Sequence, residues 1–352
     1  MSYSDLDGEQ TRQTLNTEQA FEAYRAARDE LKHRFAGSMA WKTIAGITYL
    51  YRGQRGIWKS LGPRTPETEE ALVSFRAGRL RTRARMTTLA KRLDRMAAVN
   101  RALDLGRIPV IAARILRALS DARLTETAIL TVGTNALYAY ERMAGVQIAD
   151  AILATEDIDF LYDARASLKL LAPDVAATGV AGLLRKVDRS FEIIGKDGFR
   201  ATNRDGYIVD LITPAPKDPM LSRGRKRIGS EAGDLTAVET EGLNWLVNAP
   251  KITEIVMDQR GYPASMIVPD PRAFALHKFW LSKRDDRNPA KRRRDEAQAG
   301  LIVGLLAKHL PHLRFDDPAL AALPRALRDE AARLAPARRE AAPEPSRLEP
   351  DW

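Results

Sequence analysis

The chain has 352 residues, 45% of them hydrophobic and 29% charged, with a formal net charge of +10. That length and apolar content suffice for two or three cores and exclude a disordered chain, while the positive balance favours polyanions such as RNA, DNA or nucleotides without choosing between an enzyme and a binder. Cysteine is absent, which removes disulfides, thiolate nucleophiles, iron–sulfur clusters and cysteine-ligated zinc.

Of the histidines His33, His277, His309 and His312, only the last two are close, and their spacing at a helix end suits capping better than metal binding. Any catalytic metal therefore falls to carboxylates. Residues 1–10 are polar and acidic, and no run approaches the ~18 apolar residues of a spanning helix. A cytoplasmic protein without a membrane partner is the expectation.

Residues 16–35 repeat Ala20, Phe21, Tyr24, Ala27 and Leu31 at helical spacing, with Asn16 or Thr17 placed to cap. Residues 41–51 form an aromatic, β-branched run that reads as a strand or a small hairpin, followed by Arg52-Gly53-Gln54-Arg55-Gly56. Basic residues beside aromatics suit single-stranded nucleic acid, and aromatics packed into a hairpin core are the competing reading. Lys59-Ser60 is no phosphate loop, because Trp58 stands where a glycine is needed. Thr65-Pro66-Glu67 starts a long helix to about residue 103. Met86, Leu89, Leu93, Met96 and Leu103 form its stripe, and arginines surround the rest as a phosphate-contacting or simply solvated face. A further helix is predicted over residues 107–119.

The central stretch is Leu130-Thr131-Val132-Gly133-Thr134-Asn135, a buried strand over 128–132 entering a helix over 136–143 that ends at Gly145. Backbone N–H groups and a hydroxyl at such a junction can receive a phosphate, although an ordinary tight turn has the same sequence. Downstream lies Glu156-Asp157-Ile158-Asp159-Phe160. Side chains at i and i+2 of a strand share a face, so Asp157 and Asp159 project together, as ligands of a hard cation such as Mg²⁺ would. Glu156 lies on the opposite face.

Residues 174–187 read as a helix, 191–194 and 199–202 as short strands. Asn203-Arg204-Asp205-Gly206 then forms a hairpin turn leading into the strand 207–212. Asp210 in that apolar strand must reach water or a cation, which makes it the candidate third metal ligand. Residues 213–233, with Arg223 to Arg227, read as a basic loop for RNA or phosphates, or a solvated linker. A second hairpin spans 252–257 and 262–268. Asp270-Pro271 opens a helix to about 283 containing His277 and Lys278, a basic run Ala290-Lys-Arg-Arg-Arg-Asp295 follows, and an apolar helix covers 301–310. From about 335 the composition is that of a disordered tail.

Val132-Gly133-Thr134, Asp157-Ile158-Asp159 and Val209-Asp210-Leu211, in that order, resemble the signature of the nucleotidyltransferase superfamily that includes DNA polymerase β. The chain is particularly similar to small bacterial nucleotidyltransferase-fold proteins and to the toxin nucleotidyltransferases of abortive-infection systems. Thr134 stands where serine is usual. The resemblance covers residues 128–310 and implies an α+β fold, a mixed β-sheet flanked by helices with helical N- and C-terminal regions. The expected division is a mainly helical basic region over 1–125, a catalytic core over 126–232, a hairpin plus helical region over 233–334 and the tail.

The resemblance implies that Asp157, Asp159 and Asp210 hold two Mg²⁺ ions for in-line transfer of a nucleoside monophosphate from an NTP. It further implies that Gly133, Thr134 and Lys278 hold the triphosphate, and that Lys278 and Arg294-Asp295 correspond to functional residues of the toxins. The acceptor is expected to be RNA, such as a tRNA 3′ end. Transfer to a protein side chain by a toxin with an antitoxin partner, or a non-catalytic nucleic-acid or partner-binding module, are the alternatives.

Overall fold

The computed structural model describes residues 2–54, 56–165, 173–195, 198–216, 226–228, 233–321 and 323–334. Contacts divide the chain into two compact units, one of Asp7–Arg107 with Met257–Pro263, the other of Met1–Leu6, Ile108–Val256 and Ala264–Trp352. The strand β1 (Tyr3–Asp5) is followed by α1 (Gly8–His33), β2 (Ser38–Ile44), β3 (Ile47–Gln54), β4 (Ile57–Pro63) and α2 (Pro66–Ala102).

In the smaller unit α1 begins eight residues before the apolar repeat predicts. Asp7 accepts from Gln10 N at 2.8 Å while the Gln10 side chain returns to Asp7 N at 3.0 Å, a capping box that nucleates the helix ahead of its apolar stripe. Part of the seam with α2 is polar: Gln13 Nε2 and Thr17 Oγ1 both reach Asn100 Oδ1, at 2.7 and 3.1 Å. Buried polar groups satisfied across two helices leave no hydrophobic periodicity to read. α2 starts as expected, with Thr65 accepting from Thr68 N and Pro66 in the first turn. Residues 41–51 are two strands, because the chain reverses at Ala45 and Gly46, both with positive φ. β2, β3 and β4 form one antiparallel sheet.

The larger unit continues with α3 (Val110–Asp121), α4 (Leu124–Thr127), β5 (Ile129–Val132), α5 (Ala136–Ala144), β6 (Val146–Ile148), α6 (Asp150–Leu153), β7 (Asp157–Tyr162), α7 (Pro173–Val187), β8 (Glu192–Ile194), β9 (Arg200–Thr202) and β10 (Ile208–Pro214). After them come β11 (Lys226–Arg227), β12 (Thr236–Thr240), α8 (Leu243–Asn248), β13 (Lys251–Met257), β14 (Pro263–Pro269), α9 (Pro271–Ser282), α10 (Pro289–His309) and α11 (Arg325–Leu334). The main sheet runs β11-β12-β10-β7-β5, with β9 also on β10 and β8 on β9. β10 is parallel to β7 and β12, and β5 is antiparallel to β7. This mixed sheet, with helices packed around it, is the expected α+β architecture.

Its core is apolar because each central strand contributes buried side chains on both faces: Leu130, Ile158, Phe160, Leu161, Val209 and Leu211 are all nearly inaccessible. β1 pairs with β6, so the first residues belong to this unit. Two expectations change here. The basic run at 290–295 and the apolar stretch at 301–310 are one continuous helix, α10, opened by Asn288 accepting from Ala290 N at 2.9 Å. The segment after Thr213 is not all loop, since β10 runs through Pro214 and Lys226–Arg227 pairs with β12. Residues 217–225, including Arg223, and the tail from 335 lie outside the described residues.

Candidate active site

The acidic trio is placed by two neighbouring parallel strands. Asp157 and Asp159 share one face of β7, and the β7–β10 register sets Asp210 directly beside Asp159. Parallel partners in register point the same way, so the three carboxylates lie on one side of the sheet. Where β5 ends, opposite Asp159, Gly133 turns the chain into α5 with φ +66, and a Cβ on it would fall on Asp159 Oδ2. Glycine is therefore required twice over, for the positive φ and for the approach of a carboxylate to the backbone.

Charge in this pocket is out of balance. Burial, then the nearby Asp157 and Asp210, push the Asp159 carboxyl up to about 7, against a partial pull from Lys278 and Lys291. A carboxylate shifted by burial and by like charges marks a candidate functional site. Arg200 supplies some, donating Nε and Nη2 to the two oxygens of Asp210 at 2.7 and 2.6 Å, and Asp157 accepts from Thr155 Oγ1. As these side chains stand, no three His, Asp or Glu groups among the described residues are arranged to hold a metal ion. The donor set itself, three carboxylates on one sheet face, suits a hard oxygen-seeking cation that competes with Arg200 for Asp210.

A cationic cluster stands on the two helices after the core and on the connection between them. Lys278 Nζ donates to Asp295 Oδ1 at 2.8 Å, and Arg287 Nε to Asp295 Oδ2 at 2.5 Å. Burial pulls the Lys278 ammonium below the usual lysine range, and Asp295 opposes that shift. Asp295 is thus a buried anchor that orients Lys278 and Arg287. Arg294 Nη2 donates to Thr134 Oγ1 at 2.6 Å and Gln298 Nε2 donates to the same oxygen at 3.2 Å. With two donors already on this oxygen, the Thr134 hydroxyl keeps one hydrogen to donate.

Sequence reading singled out Gly133, Thr134, Asp157, Asp159, Asp210, Lys278, Arg294 and Asp295, and the structure places them in this one unit. It did not single out Arg200, Arg287, Lys291, Gln298, Asn135 or Tyr207. Asn135 Nδ2 holds the Asp157 carbonyl at 2.6 Å. The Tyr207 hydroxyl is buried with no hydrogen-bond partner among the described residues, its pKa raised by burial and then by Asp157. Arg200 was recoverable: counting the ladder outward from the Asn203–Gly206 turn pairs residue 200 with residue 210. Gln298 lies one helical turn beyond Arg294, on the same face.

A family profile described as Nucleotidyltransferase matches residues 111–324. Among solved structures the chain is similar to an antigenic nucleotidyltransferase-like protein from Paracoccidioides brasiliensis, with 15% identity, 64% of this chain and 94% of that chain covered, and a TM-score of 0.31. No curated protein matches. The matched segment takes in the Gly-Thr turn, all three carboxylates and the Lys278 and Arg294 helices, and on that match the chain belongs to the nucleotidyltransferase family.

Proposed function

We propose that the larger unit transfers a nucleoside monophosphate from an NTP to a hydroxyl of an RNA acceptor, releasing pyrophosphate, with Mg²⁺ as the metal. The observation that carries the reading is the Asp157, Asp159 and Asp210 arrangement on adjacent parallel strands, with Asp159 held at about 7 beside the Gly133 turn. When bound between these carboxylates, two Mg²⁺ ions would acidify the attacking hydroxyl and neutralise charge growing on the α-phosphate.

The chain's own residues do the rest. Asp157, Asp159 and Asp210 would supply the oxygen donors to the metal, with Arg200 giving up its hold on Asp210. Arg200, freed from that carboxylate, would offer its guanidinium to a phosphate oxygen. Thr134 donates its hydroxyl hydrogen to a phosphate oxygen, held in that orientation by Arg294 and Gln298. Lys278 lends positive charge to the triphosphate from a position fixed by Asp295. The net positive charge of the chain favours RNA as the acceptor. A protein acceptor, as for a toxin with an antitoxin partner, is the second product the same chemistry reaches.

Incubation of the protein with each labelled NTP, Mg²⁺ and total RNA, then with cell protein in place of RNA, separates these outcomes. Label in RNA is expected, and label in protein alone transfers the reading to the toxin-like reaction. No label with either acceptor, or equal labelling by Asp157→Ala and Asp159→Ala, removes it.

A further inference from the structure

The smaller unit offers a surface that the carboxylate site does not use. Across β2, β3 and β4 the register puts Lys42 beside Tyr49, Tyr51 beside Ser60 and Gly53 beside Trp58. Alternation along each strand therefore collects Lys42, Tyr49, Tyr51 and Trp58 on one face. On the opposite face Leu50 is fully buried and Arg52 packs over the Phe75 ring of α2, so the aromatic face is the one turned away from that helix.

Trp58 lies flat on the backbone there: a Cβ at Gly53 would meet its ring carbons at 2.7–2.8 Å. The indole remains 42% exposed, and the exposed Lys42 ammonium lies over it at 4.0 Å from the ring centroid and 5.2 Å from that of Tyr51. The Trp58 ring is supported from beneath by the Gly53 backbone, and the flexible Lys42 side chain reaches over both rings. Charge points the same way. Residues 31–66 hold seven Lys and Arg and no carboxylate, Lys42 on the aromatic face and Arg52 and Lys59 on the other, and residues 71–93 of α2 repeat that composition. A merely solvated surface has no need to exclude acids over two such stretches, whereas a polyanion does.

We infer that the open face of β2–β4 binds single-stranded RNA, with bases stacked on Trp58 and Tyr51 and Lys42 moving from the ring to a phosphate. The choice of RNA rests on the acceptor proposed above; the binding itself needs neither NTP nor metal. A duplex keeps its bases stacked inside and is disfavoured by a platform of this kind.

The test is fluorescence anisotropy of a labelled single-stranded oligonucleotide with the full chain in chelator, alongside Trp58→Ala, Trp58→Phe, Lys42→Gln and Asp157→Asn, with the same sequence as a duplex and phosphatidylserine vesicles as further arms. Single-stranded RNA is expected to bind, about tenfold or more weakly with Trp58→Ala, near the parent level with Trp58→Phe, and unchanged with Asp157→Asn. Lys42→Gln is expected to reduce the salt dependence by about one ion. Quenching of tryptophan emission by RNA in the parent protein, smaller in Trp58→Phe, reads the same contact without relying on the alanine variant to fold. Equal binding by a folded Trp58→Ala, equal binding of the duplex, or binding of vesicles but not RNA overturns the inference. Normal transfer to RNA by Trp58→Ala removes this surface while leaving the proposed reaction standing, and a parent protein that binds single-stranded RNA through Trp58 but transfers no label removes the reaction while leaving this surface standing.

Discussion

Asp159 is where burial and chemistry pull hardest against each other. Its carboxyl is raised from 3.8 to about 7, so between those pH values the metal-free folded chain binds a proton that the unfolded chain does not. Stability on this account is greatest below about pH 4 and falls as pH rises towards 7. Asp159→Asn removes the penalty. In chelator at pH 8 the variant is expected to be more stable by up to about 4 kcal/mol, seen as a melting temperature several degrees higher, with the difference vanishing near pH 4 and transfer abolished. A pH-independent difference contradicts it. Arg200 sets the second residue-scale test: its fork on Asp210 competes with a cation, so Arg200→Gln is expected to lower, several-fold, the Mg²⁺ concentration that half-maximally stabilises the protein in thermal titrations. An unchanged midpoint shows that Arg200 does not gate the carboxylate.

At the scale of elements, the site depends on a strand-to-helix turn and a helix pair. Gly133→Ala forces a side chain onto Asp159 at a positive φ, and is expected to cost roughly 1–3 kcal/mol and to abolish transfer. A melting temperature equal to the parent's counts against the turn as drawn. Asp295→Ala leaves Lys278 and Arg287 without their shared buried carboxylate and is expected to destabilise the fold by about 3–5 kcal/mol in denaturant unfolding, with Asp295→Asn milder. Much of this was legible in the sequence. The Gly-Thr turn, the Asp-Ile-Asp alternation and the Asn203–Gly206 turn are local signals, and each sits at its expected place in the fold. What failed was non-local or masked by polarity. The start of α1 was hidden because Thr14, Thr17 and Asn100 bury polar side chains, and α10 was read in two pieces because its first turns are charged.

At the scale of the molecule, the sequence suggests a mainly helical basic region over residues 1–125, whereas contacts group Asp7–Arg107 with residues 257–263, the tip of a later hairpin; that association is made by contacts such as Asn100 Nδ2 to the Gly261 carbonyl at 2.8 Å, which no local pattern encodes. Among the described residues no helix is long and apolar enough to cross a membrane. One transfer reaction is the function proposed for the molecule. It is tested most directly with α-labelled NTP, Mg²⁺ and an RNA bearing either a free or a deoxy 3′ end, comparing the parent protein with Asp157→Asn, Asp159→Asn and Asp210→Asn. The prediction is label on the free 3′ end alone, lost with chelator and with each substitution by a factor of about 10² or more. Labelling that survives all three substitutions, or that follows the γ-phosphate instead of the α-phosphate when the label is moved, contradicts it.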